Sequence, residues 1–354
     1  MFLKNQGGRK LQMPSLFVSS EGLKKLLEGL RERSELFAPR ELLENLHYEL
    51  LKPDWGEELV LDTHRTVEPL KSFIYRFKEP VAAFPSSVEP AVKNIALLGV
   101  KNCDLRSFQV LDSIFDTEEL RDPFYCTQRD STLIISSDCY APTERCFCDL
   151  VGLKPYPEEG FDLNLSAVEG GFVVEIGSEK GEELVNSQRE LFEEATGEKI
   201  SQRDERRRAS IEKLSEQNAE FKLERSYQRI VKDASESDVW EKQAERCVEC
   251  GCCNLICPTC YCFLLSDVKV EDGFQRIRMW DSCMYAGFSR VAAGTNPRAM
   301  LGERLRHRFM HKFVYLMETI GIYGCTGCGR CGEGCLGGID VREVLKELNL
   351  SLEG

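Results

Sequence analysis

CVECGCCNLICP at residues 247–258 and CTGCGRCGEGC at residues 325–335 share one spacing, C-x2-C-x2-C-x3-C. Cys247, Cys250, Cys253 and Cys257 supply it first, and Cys325, Cys328, Cys331 and Cys335 repeat it. Two-residue gaps let a short loop wrap one face of an iron–sulfur cube, so three successive thiolates reach three irons. The fourth cysteine lies beyond that reach and crosses to the neighbouring cube. By that rule Cys247, Cys250, Cys253 and Cys335 hold one [4Fe–4S] cluster, and Cys325, Cys328, Cys331 and Cys257 hold the other. Gly251, Gly327 and Gly329 lie inside the loops, where a backbone wrapping a metal centre often needs positive φ. Structural zinc uses paired C-x2-C knuckles and has no need of the third cysteine present in both runs.

A chain of 354 residues has room for two domains, or one domain plus a cluster module. Its net charge of -13 at pH 7 argues against a general binder of nucleic acid or of anionic membranes. No stretch approaches the roughly 18 apolar residues of a membrane span, and the start, MFLKNQGGRKLQMPSLF, lacks the apolar core of a signal peptide. The 17 cysteines are an odd number, which suits thiolate ligands in a reducing cytoplasm better than paired disulfides.

The expected fold class is α+β. Residues 20–33 read as a helix opened by a serine cap, with leucines at helical spacing. ELFAPREL reads as a short strand, and residues 94–100 and 132–136 as buried strands. DLNLSAV and FVVEI form a hairpin around Glu169-Gly170-Gly171. Residues 182–241 are charged and mostly helical with a thin apolar stripe. This gives a mixed platform or docking domain over 1–235. A two-[4Fe–4S] ferredoxin-like module follows over 236–354, with a long insertion at about 264–320. Within it, residues 298–318 read as a basic amphipathic helix. Its His307 and His311 lie at i, i+4 but lack the glutamate of a metalloprotease motif, so a packing role is expected, and its arginines can offset cluster charge.

Of the remaining cysteines, Cys126 is expected to be buried and inert, and Cys252 occupies a spacer position. Cys146-Phe-Cys148, Cys260-Tyr-Cys262, Cys139, Cys103 and Cys283 group suggestively. The expectation drawn from them is a third iron–sulfur centre on Cys260, Cys262 and Cys283, joined by Cys146 or Cys148. Buried thiols lining the cluster domain are the plainer alternative.

With these residues in view, the chain resembles the beta subunits of cytoplasmic sulfhydrogenases ([NiFe] hydrogenases) and the related A subunit of anaerobic sulfite reductases. The resemblance rests on LFAP at 36–39, LLGVKNCDLRSFQVLD at 97–112, CFCDL at 146–150 and GFDL at 160–163. It continues through CVECGCCNLICPTCYC at 247–262, WDSC at 280–283 and CTGCGRC at 325–331. The ferredoxin runs alone are widely shared; their combination with GVKNCD, CFC and WDSC is far more specific. Leu336 follows the last cysteine where many ferredoxins place proline, but proline there does not ligate. The resemblance implies an electron-transfer subunit. Its two clusters would relay electrons between a flavin- and NAD(P)H-binding subunit and a catalytic or relay subunit.

The residues agree with such a role. No G-x-G-x-x-G stands between a strand and a helix, and there is no Walker loop. The expectation is a relay in a cytoplasmic oxidoreductase complex, not catalytic alone. The rival is a chain that itself reduces a sulfur compound at the additional cysteine-ligated centre.

Overall fold

The computed structural model describes residues 15–53 and 59–353; the polar start at 1–14 lies outside them. In chain order the strands are β1 (Leu16–Ser19), β2 (Glu35–Leu42), β3 (Asn45–Leu50), β4 (Lys78–Phe84), β5 (Ile95–Val100) and β6 (Thr132–Ser137). They continue with β7 (Leu163–Val168), β8 (Gly171–Ile176), β9 (Phe192–Glu194), β10 (Phe263–Val270) and β11 (Gly273–Trp280). Eight of them form one sheet in the order β3-β2-β5-β6-β7-β8-β1-β9. Its centre is parallel, from β2 through β5 and β6 to β7, while β7 and β8 make the expected hairpin. The protein is α+β.

Burial on both faces explains why β5, IALLGV, is an unbroken apolar run. Successive side chains point to opposite sides. Ala96 and Leu98 pack on one side with Leu23, Leu26 and Leu27 of the helix Ser20–Arg31. Ile95 and Leu97 pack on the other with Phe108 and Leu111 of the helix Asn102–Phe115. The first helix starts where expected, because the Ser19 hydroxyl accepts from Gly22 N at 3.0 Å. The second starts directly after β5, so Lys101, Asn102 and Cys103 stand at the carboxyl end of a central parallel strand. Cys139 stands at the corresponding end of β6. That edge is where open α/β sheets characteristically bind ligands.

The second sheet has the order β10-β11-β4. Its hairpin, β10–β11, fills the first part of the insertion, and β4 joins it from the amino-terminal half by pairing with β11. The division at 235/236 is therefore crossed by a strand pairing.

A further apolar core carries the cysteine runs. Trp240, Phe309, Phe313, Val344, Leu345 and Leu348 pack there with Phe147. The thin stripe read in the charged region is seen in the helix Gly197–Gln217, which buries only Ser210 and Leu214. The basic segment at 298–318 is helical over Leu301–Met310, passes through a π turn at His311–Tyr315, and resumes over Leu316–Ile320. Among the described residues no helix is long and apolar enough to cross a membrane.

Candidate iron–sulfur sites

Two neighbouring cavities divide the eight ferredoxin cysteines. The first is lined by Cys247, Cys250, Cys253 and Cys335, with the spacer Cys252 and with Cys331 on the shared wall. The second is lined by Cys257, Cys325, Cys328 and Cys331. Each cavity thus collects three thiols from one run and the fourth from the other. Arg308, Cys331 and Val341 line both. No group of three or more His, Cys, Asp or Glu among the described residues could hold a single metal ion. The thiols instead ring cavities, as ligands bound to different irons must.

The surroundings fit a negatively charged, sulfur-rich group. Arg308 is buried and donates through one guanidinium nitrogen to Cys253 O at 3.0 Å. Its Nε has no hydrogen-bond partner, and neither has the buried hydroxyl of Thr326, which lines the second cavity. Unpaired buried donors are costly; facing these cavities, they can serve sulfur acceptors, a contact that tunes cluster potential. Lys312 is also buried on the second cavity and donates to the Thr259 hydroxyl rather than to a carboxylate. Burial pushes the Cys253 thiol up to about 11 and the Cys331 thiol up to about 12. Metal binding at such thiols therefore releases their protons.

The loop glycines adopt the conformation the wrapping demands. Gly327 and Gly329 have φ of 63° and 76°, in the left-handed region where side chains are strained.

The other cysteines fall into two separate places. Asn254 holds the first group: its amide Nδ2 donates to Cys283 Sγ at 3.2 Å and to Cys260 Sγ at 3.5 Å. Cys262 adjoins Cys283, and Cys260 adjoins Cys257. Cys146 and Cys148 do not join this group; they line a third cavity with Cys103 and Cys139. Cys126 is buried and its thiol meets Phe115 O at 3.4 Å, away from the cavities, as expected. His307 and His311 stack with ring centres 6.5 Å apart, and His311 Nε2 lies 2.9 Å from the Tyr261 hydroxyl. Burial, reinforced by Lys312, pushes His311 down to about 3. These are packing contacts.

Residues 246–339 match the 4Fe-4S dicluster domain model. Over 342 residues the chain is 31% identical to sulfhydrogenase 2 subunit beta of Pyrococcus furiosus, covering 95% of this chain and 98% of that protein. The chain belongs to the sulfhydrogenase beta-subunit family.

The motifs that carry the family resemblance meet in space. Asp104 of GVKNCD forms a two-pronged ion pair with Arg330 of CTGCGRC, both contacts 2.8 Å. The same guanidinium donates through Nε to Thr66 O and Val67 O. In CFC, Phe147 N donates to Gly327 O at 2.7 Å, clamping the second ferredoxin loop to the amino-terminal half. Beside WDSC, Lys71 lies 4.2 Å from the Trp280 ring centre and donates to Asn254 O and Cys260 O. The sequence reading missed Asp104 and Lys71 because nothing in their spacing announces a contact more than 180 residues away.

Proposed function

We propose that this chain is an iron–sulfur electron-transfer subunit of a cytoplasmic oxidoreductase complex. Its eight ferredoxin cysteines would hold two [4Fe–4S] clusters in a ferredoxin-like module with a long insertion. The relay would run between a flavin- and NAD(P)H-binding subunit and a catalytic subunit that is a hydrogenase or a sulfur- or sulfite-reducing enzyme. The observation that carries this reading is the crossed sorting of eight thiols into two adjoining cavities with a common wall. When bound, such clusters supply one-electron transfer. The chain's own residues supply the thiolates, exclude water with the apolar core around Phe309 and Phe313, and offset negative charge with Arg308 and Lys312.

A partner-bound role is supported by the small sheet. Phe263, Leu264, Leu265 and Phe274 on the β10–β11 hairpin and Phe84 on β4 are all exposed, an apolar excess on one small sheet that suits contact with another protein. The hairpin grows out directly after Cys262 and returns just before Cys283, so a subunit docked there would lie close to the cysteine core.

The test is Cys328→Ser in the complex purified without oxygen. Iron should fall by about four per chain. Electron flow from reduced nicotinamide to the terminal acceptor should fall to background, while the flavin subunit still reduces an artificial dye. Unchanged flow to the terminal acceptor would defeat the proposal.

A further inference from the structure

Beyond the two ferredoxin sites, four cysteines from three separate parts of the chain surround one more cavity. Cys103 comes from the first turn of the helix after β5, Cys139 from the end of β6, and Cys146 and Cys148 from the loop that follows. All four are free thiols, and Cys103 and Cys146 are buried. Their backbones are anchored in place. Cys139 N donates to Pro155 O at 2.7 Å, and Cys146 O accepts from Gln217 and Asn218 side chains at 2.7 and 3.0 Å. Leu153 N donates to Cys148 O at 2.9 Å.

The charge on this cavity is the second observation. Lys101 lines it with only 2% of its surface exposed. Its ammonium donates to Leu61 O at 2.6 Å, Ser137 Oγ at 2.8 Å and Asp138 O at 2.9 Å, all neutral acceptors. The Asp138 carboxylate is committed to Arg207 instead. A buried ammonium whose hydrogen bonds all go to neutral groups is favoured by further negative charge beyond the nearby Asp138 and Asp62 carboxylates. Lys312 and Arg308 stand in the same condition beside the ferredoxin cavities. Arg65, also buried, lines the third cavity too, although it pairs with Glu333.

Position supplies the third observation. Cys328 lines both the second and the third cavities, and Gly327 lies on the third. The three cavities therefore form a row joined first through Cys331 and then through Cys328.

We propose that Cys103, Cys139, Cys146 and Cys148 hold a third iron–sulfur cluster, extending the electron path from the ferredoxin module to the carboxyl edge of the large sheet. The proposal rests on the two-cluster reading and lengthens it. Binding takes four thiolates, whose protons leave as the group assembles, and transfer then moves one electron in and the same electron out. The third cavity is also lined by exposed Lys154, so the path ends near the surface.

Iron and acid-labile sulfide are to be measured on the full chain purified without oxygen. Wild-type protein should carry more than eight irons, about ten for a [2Fe–2S] and about twelve for a [4Fe–4S] third group. Cys139→Ser and Cys148→Ala should each bring the count to about eight while keeping the two ferredoxin signals in electron paramagnetic resonance. Cys126→Ser should lose nothing. Lys101→Met keeps all four thiols, and should make the third centre harder to reduce without moving the other two. An unmoved third potential counts against the placement. About eight irons in wild type, unaltered by Cys139→Ser, would overturn the proposal and leave the two-cluster reading standing. Surplus iron lost from Cys262→Ser but kept by Cys139→Ser would overturn it as well. Wild-type iron well below eight, undiminished by Cys328→Ser, would instead defeat the two-cluster reading beneath it.

Discussion

The two ferredoxin loops share a spacing and differ in almost everything around it. In the first, Val248, Glu249 and Cys250 are all exposed; in the second, every residue from Thr326 to Arg330 is buried. The first loop forms a rim of the molecule. The second is enclosed, with Arg65 donating to Cys328 O at 2.9 Å and Phe147 N donating to Gly327 O. Spacing defines which thiols share a cube, but enclosure decides what each site can do. An exposed rim suits exchange with another protein, and an enclosed site suits transfer within the chain.

The sharpest way to break this contrast is at the ion pair beneath the enclosed loop. Arg330 and Asp104 are respectively 1% and 1% exposed. Removing one partner of a buried pair costs about 3–5 kcal/mol, because the other charge is left unpaired in the interior. Asp104→Asn should therefore lower stability by that order in urea unfolding and release iron from the second site. The rim should be less sensitive. Glu249 also pairs with buried Arg304, but that guanidinium keeps Arg298 O and Ala299 O as acceptors, and Glu249 itself is 42% exposed, so water can take over part of its role. Equal iron loss in Asp104→Asn and Glu249→Gln would erase the distinction between the loops.

A smaller effect is expected at the glycines. Gly251 and Gly327 both have positive φ, so alanine at either carries a backbone strain of order 1–3 kcal/mol. Their surroundings differ. A Cβ on Gly327 would lie 2.5 Å from the backbone of Cys148, which is fixed by its own bonds, whereas on Gly251 it would meet the hydroxyl end of the Tyr285 ring. Gly327→Ala should be the more destabilising of the two and should also disturb the third cavity. Thermal unfolding of both variants, with iron counts, checks the order.

Much of this was legible in the sequence, and the remainder has a common physical cause. β5 could be read from IALLGV because burial on both faces leaves a continuous apolar run, and the helix at Ser20 from its serine cap. The crossed sorting of the eight thiols into two cavities follows from loop reach, a local property. The β10–β11 hairpin was not read. Phe263, Leu264, Leu265 and Val268 are exposed along β10, so no buried face imposes an alternating pattern. Its third strand, β4, comes from nearly two hundred residues earlier. Cys103 and Cys139 were noticed but not placed with Cys146 and Cys148. Only the parallel pairing of β5 with β6 brings those strand ends together.

The smallest expected effect concerns how the enclosed loop leaves its cavity. Asp340 caps the helix Val341–Ser351, accepting from Arg342 N at 2.9 Å, and its other oxygen meets Arg145 and Arg342 at 3.0 and 2.8 Å. Burial opposes the charged carboxylate, but the Arg342 hydrogen bonds and the two positive charges together hold Asp340 below its usual range. A depressed carboxylate contributes stability that is present above its unfolded pKa, near 4, and is lost as pH falls through the lower folded value. Asp340→Asn keeps an oxygen for the cap, Arg342 keeps Glu144 O and Asn218 Oδ1 as acceptors, and Arg145 is 36% exposed. The cost at pH 7 should therefore stay at the ~1 kcal/mol of a helix cap. The gap between wild type and variant should then close below about pH 4. Arg145 adjoins Cys146, so a gap unchanged by acid would mean that this carboxylate caps the helix without electrostatically tying the enclosed loop to the amino-terminal half.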